Sequence, residues 1–220
     1  MNLTKLCFIS SVCLLTQSAY AATLVTDTWV PLPGTTSAAE PNLAGTVVED
    51  QLVPFSFSAY GGTVSGEVQN RVVLSDDGTY DFYWRVFNNE NSAGVIQDFR
   101  IGEFFTSTYN ANWRIDGLGD TAPTQAYLFS SPLGYVNFNF QDVRGGGGLA
   151  PGDSSFFMFL DTDAKFYNHS AIYDLTNIGQ TEISPLYETF APAVPEPETY
   201  AMILAGLGLL CFVRRNRNIQ

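Results

Sequence analysis

The chain alternates apolar and polar residues over many short stretches, a pattern that predicts β-strands. The clearest case is residues 79–87, where every second residue is large and apolar. Ser75–Gly78 carries turn residues, and residues 63–74 form a second strand candidate before it, so the two predict a hairpin. Residues 135–142 alternate equally well, with Val136, Phe138 and Phe140 against Asn137, Asn139 and Gln141. This second pattern predicts a strand with one core face and one wet face.

Weaker strand signals fill the rest of the middle of the chain. Pro54 interrupts one of them, Gly61-Gly62 provides a turn, and no strong 3.6-residue period marks a helix. Eight to ten short strands separated by turns predict an all-β fold, a single antiparallel β-sandwich of jelly-roll-like type. The remaining strand candidates are residues 24–30, 46–59, 95–105, 112–115, 125–129, 154–161 and 170–175.

The N-terminus departs from this pattern. Lys5 precedes an apolar run from Leu6 to Leu15, and Ala19-Tyr20-Ala21 follows. A charged start, a short apolar run and an A-x-A site are typical of a Sec signal peptide. We therefore expect residues 1–21 to be removed by cleavage between Ala21 and Ala22, and the Sec translocon to be a partner.

The C-terminus has three parts in a fixed order. Val194, Pro195, Glu196 and Pro197 come first, an apolar run from Ala201 to Val213 follows, and Arg214, Arg215 and Arg217 close the chain. The prolines delay helix formation, and the apolar run then predicts a short transmembrane helix over residues 200–213. The arginines should stay cytoplasmic, which leaves the body of the protein outside the cytoplasm.

These three parts resemble the PEP-CTERM sorting signal of Gram-negative bacteria. The resemblance covers only the end of the chain, residues 191–220, and it implies recognition by an exosortase, a membrane-embedded enzyme that cuts near the Pro-Glu-Pro. It also implies an intermediate anchored in the inner membrane, followed by transfer to the cell surface or release. On this interpretation residues 22–190 form the exported domain and the protein is a substrate of the exosortase.

Composition narrows the function classes for the exported domain. Residues 22–190 hold twenty acidic and six basic side chains, a net charge near −14. This charge argues against nucleic acid as a partner. Cys7, Cys13 and Cys211 all lie in the two terminal segments, so we expect neither disulfides nor a thiolate metal site in the domain.

Candidate catalytic residues are sparse, and we assign no catalytic, cofactor-binding or metal-binding residue. His169 is the single histidine, and no Gly-x-Ser-x-Gly motif accompanies it. Asp161 with Asp163, and Asp76 with Asp77, could offer carboxylates for glycoside hydrolysis or oxygens for Ca²⁺. Both pairs stand where turns and strand ends commonly carry aspartate, which is the simpler interpretation.

Tyr109 and Trp113 are the candidate ligand surface. They sit among asparagines in a segment of polar character, and aromatic rings beside amides suit the stacking and hydrogen bonding of sugars. The alternative is that Trp113 anchors its loop to the core. The sequence thus predicts a non-enzymatic surface or matrix protein, associated with exopolysaccharide or biofilm. A secreted polysaccharide-binding module and a carboxylate-dependent glycoside hydrolase stay as alternatives.

Overall fold

The computed structural model describes residues 20–141 and 145–193. Within them the chain forms twelve strands and one short 3₁₀ helix, Pro41–Leu43. The strands are β1 (Ala22–Thr23), β2 (Trp29–Pro31), β3 (Thr46–Ala59), β4 (Gly62–Leu74), β5 (Tyr80–Asn88), β6 (Ile96–Gly102), β7 (Asn110–Trp113), β8 (Gln125–Leu128), β9 (Val136–Asn139), β10 (Met158–Asp161), β11 (Tyr167–Asn177) and β12 (Tyr187–Pro192).

Two six-stranded sheets share these strands. The first sheet has the order β1-β7-β10-β5-β4-β3 and the second has β12-β11-β6-β9-β8-β2. Neighbouring strands in each sheet are antiparallel. Side chains of both sheets meet in one core cluster, where Trp84 of the first sheet lies 6.0 Å from Phe99 of the second, between ring centroids. The predicted all-β fold with two packed antiparallel sheets is confirmed, whereas its jelly-roll connectivity stays a prediction.

The predicted hairpin provides two neighbouring strands of the first sheet, β4 and β5. β4 and β5 pair from Leu74 with Tyr80 to Gly66 with Asn88, around the turn in which the Gly78 amide donates to the Ser75 carbonyl oxygen at 2.9 Å. β3 joins them as an edge strand, and it continues through Pro54, which the sequence analysis took as an interruption. An edge strand tolerates proline because one side of its backbone has no strand partner.

One face that was predicted to be wet is in fact buried. Asn137 and Asn139 of β9 are 2% and 4% exposed, so the expected wet face of this strand is wrong. β9 lies inside its sheet, and Asn139 satisfies its amide by donating to Asp98 at 2.6 Å. On β5 the face opposite the core is covered as well, since Tyr83 packs with Leu43, Val73 and Phe159 in a second cluster. Covered outer faces occur where loops fold back over a sheet, which alternation alone cannot reveal.

Several strand boundaries also differ from the prediction. The expected strand at residues 24–30 is replaced by two short strands, β1 just before that stretch and β2 at its end, with a left-handed residue, Asp27, between them at a φ of 56°. β12 was missed, and it carries the exported body to Pro192, beyond the predicted boundary at residue 190. Its six residues contain only one large aliphatic or phenyl side chain, Phe190, so its hydrophobic signal is weak.

Two predictions fall outside this description. The expected signal peptide lies almost entirely in residues 1–19, and the expected transmembrane helix, residues 200–213, follows residue 193. Among the residues that are described, no helix has the length and apolar character needed to cross a membrane.

Candidate functional site

Trp113, half of the predicted ligand surface, ends β7 with its indole turned toward the protein. Its Nε1 donates to the Leu32 carbonyl oxygen at 3.2 Å, and its ring centroid lies 5.0 Å from that of Phe156. Gly34 approaches the same ring so closely that a Cβ there would lie 2.6 Å from the indole. These contacts give Trp113 a role in holding the segment before β3 against the sheet.

Tyr109, the other half, is similarly engaged. Its hydroxyl donates to the Phe104 carbonyl oxygen at 2.8 Å, and its ring packs against the main core. Burial raises the pKa of Tyr109, in keeping with a ring that is largely withdrawn from water. Ligand binding by these two residues stays a prediction, and their contacts are those of structural anchors.

His169 has a different neighbourhood from that of a catalytic histidine. Its Nε2 lies 3.3 Å from a carboxylate oxygen of Glu49, and its ring centroid is 4.4 Å from that of Phe190. The adjacent Tyr167 donates to the other oxygen of Glu49 at 3.0 Å. Within the described residues no hydroxyl nucleophile hydrogen-bonds to His169, and the contacts around it tie β11 to β3.

The described carboxylates closest to a catalytic arrangement are Asp81 and Asp161, on the paired strands β5 and β10. The carboxyl groups of these two residues hydrogen-bond each other. Burial, and to a smaller extent the negative charge of Asp161, raises the pKa of Asp81 to about 8. Ser75 and the Thr162 amide also donate to Asp81. Glycosidases need carboxyl groups about 5–10 Å apart with sugar between them. Asp81 is fully buried and hydrogen-bonded directly to Asp161, so no sugar could fit between these two carboxyl groups.

Asp161 also contributes to a small acidic depression with Asp77 and Asp163. The depression has a volume of about 240 Å³ and is completed by side chains such as Thr79, Ser107 and Asn110. Asp77 accepts from the Thr79 amide at 2.9 Å, which is the turn role considered for this residue. Over the described ranges, no group of three or more histidine, cysteine or acidic side chains has an arrangement that could hold a metal ion.

A cleft that the sequence analysis missed lies on the outer face of the first sheet. We call it the arginine cleft; its volume is about 580 Å³, and its lining includes Arg71, Arg85, Arg114, Gln69, Tyr83 and Phe157. The β4–β5 register sets Gln69 opposite Arg85 and Arg71 opposite Tyr83. Since the turn at residues 75–78 was predicted, counting outward from it could have found these two pairs.

The predicted signal cleavage site falls at the boundary of the described region. Ala19 lies outside it, while Ala21 and Ala22 lie inside, and Ala22 is the first residue of β1, paired with Ala111. The Ala21 amide donates to the buried Glu40 at 2.5 Å. Cleavage between Ala21 and Ala22 would leave the whole of β1 in the exported body, and cleavage itself stays a prediction.

The sorting residues follow the last strand. Val194, Pro195, Glu196, Pro197, Arg214, Arg215 and Arg217 all lie beyond residue 193, outside the described residues. β12 ends at Pro192, and the Ala193 amide donates to the Phe166 carbonyl oxygen at 2.9 Å. The folded body therefore continues directly into the segment that holds the Pro-Glu-Pro.

Comparison with known proteins identifies this segment. A family model described as the PEP-CTERM protein-sorting motif matches residues 193–218. No characterised protein and no solved structure matches the chain. The match covers every predicted sorting residue, and the resemblance seen in the sequence is confirmed. The chain therefore carries a PEP-CTERM sorting motif, which indicates an exported surface protein that is sorted with an exosortase as its processing partner.

Proposed function

We propose that the protein is a non-enzymatic component of the cell surface or extracellular matrix that associates with exopolysaccharide. It enters the Sec pathway through residues 1–21, and residues 200–213 hold it in the inner membrane until the exosortase cuts near Glu196. The sandwich is then delivered outside the cell. The observation that carries this proposal is the sorting motif at residues 193–218, directly after the last strand of the folded body.

The engagement of the described polar groups supports a non-enzymatic role. His169 pairs with Glu49, and Asp81 is closed off against Asp161. General acid–base catalysis needs a titratable group within hydrogen-bond reach of a bound substrate. Asp81 has a pKa of about 8, which would suit a general acid, yet it has no exposed surface through which a substrate could reach it.

The proposal is tested by fractionating cells into inner membrane, outer surface, extracellular matrix and medium, with the protein followed by immunoblot. We expect the wild-type chain in the surface or matrix fraction. Treatment of the matrix with a glycanase that digests the exopolysaccharide should release it. A protein that stays in the inner membrane, or a matrix-bound form that glycanase does not release, would contradict the proposal.

The alternative of a glycoside hydrolase has its own test. The purified protein would be incubated with the polysaccharide of the producing cells, and new reducing ends would be measured. Release of reducing ends that is lost in Asp161→Asn would establish the hydrolase and overturn the non-enzymatic assignment. Release that persists in Asp161→Asn would point to a contaminating enzyme, and we expect no release above the blank.

A further inference from the structure

The few basic side chains among the described residues are concentrated in one place. The described residues include five lysines and arginines, namely Arg71, Arg85, Arg100, Arg114 and Lys165, in a chain with 22 acidic side chains. Three of the five line the arginine cleft. An acidic protein gains solubility from its net charge without this arrangement. A concentration of cations in one cleft therefore calls for a separate reason.

The three arginines differ in how their charge is balanced. Arg71 pairs with Asp50 at 2.6 Å, and Arg114 pairs with Asp116 at 2.7 Å. Arg85 donates instead to two neutral groups, the Ser154 hydroxyl at 2.8 Å and the Ser155 carbonyl oxygen at 3.1 Å. Within the described ranges, no carboxylate lies within 4.0 Å of Arg85. Arg85 thus brings a charge to the cleft that has no close counter-ion.

The environment of Arg85 favours an incoming anion. Burial lowers the pKa of Arg85, the negative charge of Asp120 raises it, and the positive charge of Arg71 lowers it to a smaller extent. An anion bound between Arg71 and Arg85 would relieve their mutual repulsion. A guanidinium presents its N–H groups in a planar fork that matches a carboxylate. The Nε and Nη2 groups of Arg85 already donate to Ser155 and Ser154, so a carboxylate would meet the remaining terminal N–H groups of this guanidinium.

The rest of the lining suits a sugar ring more than a bare ion. Phe157 lies in the cleft with the Arg71 guanidinium 4.5 Å above its ring centroid, and Gln69 stands across from Arg85. Gln69 also holds Asp50 through its amide at 2.9 Å. Aromatic rings pack against the C–H faces of sugars, and amide and guanidinium groups bind hydroxyls. A volume of about 580 Å³ has room for more than a single inorganic anion.

A second cleft provides a contrast. It borders β6 and β11, has a volume of about 280 Å³, and holds Arg100. There the guanidinium is fully matched by Asp174, with Nε and Nη2 donating at 2.6 and 2.8 Å to its two oxygens. A bidentate pair leaves little affinity for another anion. Only the arginine cleft combines an uncompensated guanidinium with aromatic and amide groups in the part of the chain that is described.

We propose that the arginine cleft binds a carboxylate-bearing saccharide, with Arg85 contacting the carboxylate. This inference rests on the proposed function, because it names the chemical class of glycan that the exported protein would hold. The net charge of −12 on the whole chain disfavours nucleic acid, whose backbone would be repelled over most of the surface. A glycan can meet the cleft with a single uronate ring.

The test is isothermal titration of the full chain in mild detergent with oligogalacturonate, and with its methyl ester as the uncharged ligand. We expect binding of the acid form that weakens with salt, and weaker binding of the ester. Arg85→Gln should reduce the affinity about tenfold or more, as for loss of a charged hydrogen bond. Lys165→Gln removes one exposed positive charge outside the cleft, and it should leave the affinity unchanged.

Several outcomes would overturn the inference. If the acid and the ester bind equally well, the carboxylate has no role in recognition. If Arg85→Gln and Lys165→Gln lose the same amount of affinity, the effect comes from overall charge and not from the cleft. If Arg85→Gln melts at a lower temperature, Arg85→Lys replaces it, because lysine keeps the charge but not the planar fork, and it should still bind the acid form more weakly. Preference for single-stranded DNA would also contradict it. Because cell fractionation is independent of titration, a protein that glycanase releases from the matrix but that does not bind oligogalacturonate would refute this inference alone.

Discussion

Trp84 and Thr189 join the two sheets by a hydrogen bond through the middle of the core. The indole Nε1 on β5 donates to the Thr189 hydroxyl on β12 at 2.8 Å, and that hydroxyl donates in turn to the Asn70 side-chain oxygen at 2.8 Å. All three side chains are at most 2% exposed. A polar chain of this kind fixes how one sheet sits on the other, because any slide would leave buried groups unsatisfied.

Replacing Thr189 with valine should therefore cost more than the loss of one hydrogen bond. The valine keeps the shape but leaves the Trp84 N–H and the Asn70 oxygen without this partner. We expect the free energy of unfolding in urea to fall by about 2–4 kcal/mol. Thr189→Ser retains the hydroxyl and should lose about 1 kcal/mol for the missing methyl group. Equal losses in the two variants would contradict a role for the hydrogen bonds.

The raised pKa of Asp81 predicts how the stability of the protein changes with pH. This pKa is raised to about 8 in the folded protein, against about 3.9 in an unfolded chain, so the folded state binds this proton more tightly. The stabilisation is complete below about pH 4 and is lost as the pH rises through about 8. Asp161, whose pKa burial also raises, acts in the same direction. Urea unfolding between these pH values should show stability declining as pH increases.

The variant Asp81→Asn separates this effect from the other carboxylates. A neutral amide has no proton to lose, so the decline should become shallower, with a gain on the order of 2 kcal/mol near pH 8. Asp76→Asn changes an exposed turn residue in the same hairpin and serves as the control. A decline of unchanged slope in Asp81→Asn would show that this carboxyl is not its source.

Replacing Trp113 shows whether this residue is a structural anchor or a platform for a ligand. If Trp113 is an anchor that is hydrogen-bonded to Leu32 and packed on Phe156, Trp113→Ala should lower the free energy of unfolding by about 2–4 kcal/mol. Ile115 is two residues along and half exposed, so Ile115→Ala is a mild control. Unchanged stability in Trp113→Ala, together with lost binding of a glycan, would restore the ligand role predicted from the sequence.

Gly66 occupies the point where β4 has the least room. A Cβ at this position would lie 1.9 Å from the Phe87 carbonyl oxygen and 2.7 Å from the Phe55 ring. Since the carbonyl belongs to the paired strand, it cannot move without breaking the ladder. We expect Gly66→Ala to lower the melting temperature, with a loss of about 1–3 kcal/mol, whereas Thr63→Ala on the same strand should have little effect. A neutral Gly66→Ala would show that the strands can separate there.

Local pattern predicted the elements whose two faces differ. The hairpin of β4 and β5 was found because its turn residues and its alternation agree, and β3 was placed at residues 46–59 as the structure has it. β12 was missed since Phe190 is its only strong core residue. Its burial depends on Trp84, Asn70 and Tyr167, which lie far away in sequence, and no local signal reports such partners.

The sites divide in the same way. The sorting residues were predicted because their order along the chain is itself the signal that the processing machinery recognises. The arginine cleft was missed because it is assembled across strands, from residues as far apart as Gln69 and Phe157. For Trp113 the sequence left two interpretations open, a ligand platform and an anchor, because its polar neighbours in sequence say nothing of its contacts with Leu32 and Phe156.

The most direct test of the whole account is the intact mass of the native protein beside the variant Glu196→Ala, each measured after cell fractionation. The account predicts a wild-type form that begins at Ala22, ends near Pro195 and has left the inner membrane. The variant should keep its C-terminus and remain in the membrane. If both proteins instead retain Arg214 to Arg217, the end of the chain is a permanent anchor, and the assignment as an exosortase-processed surface protein is wrong.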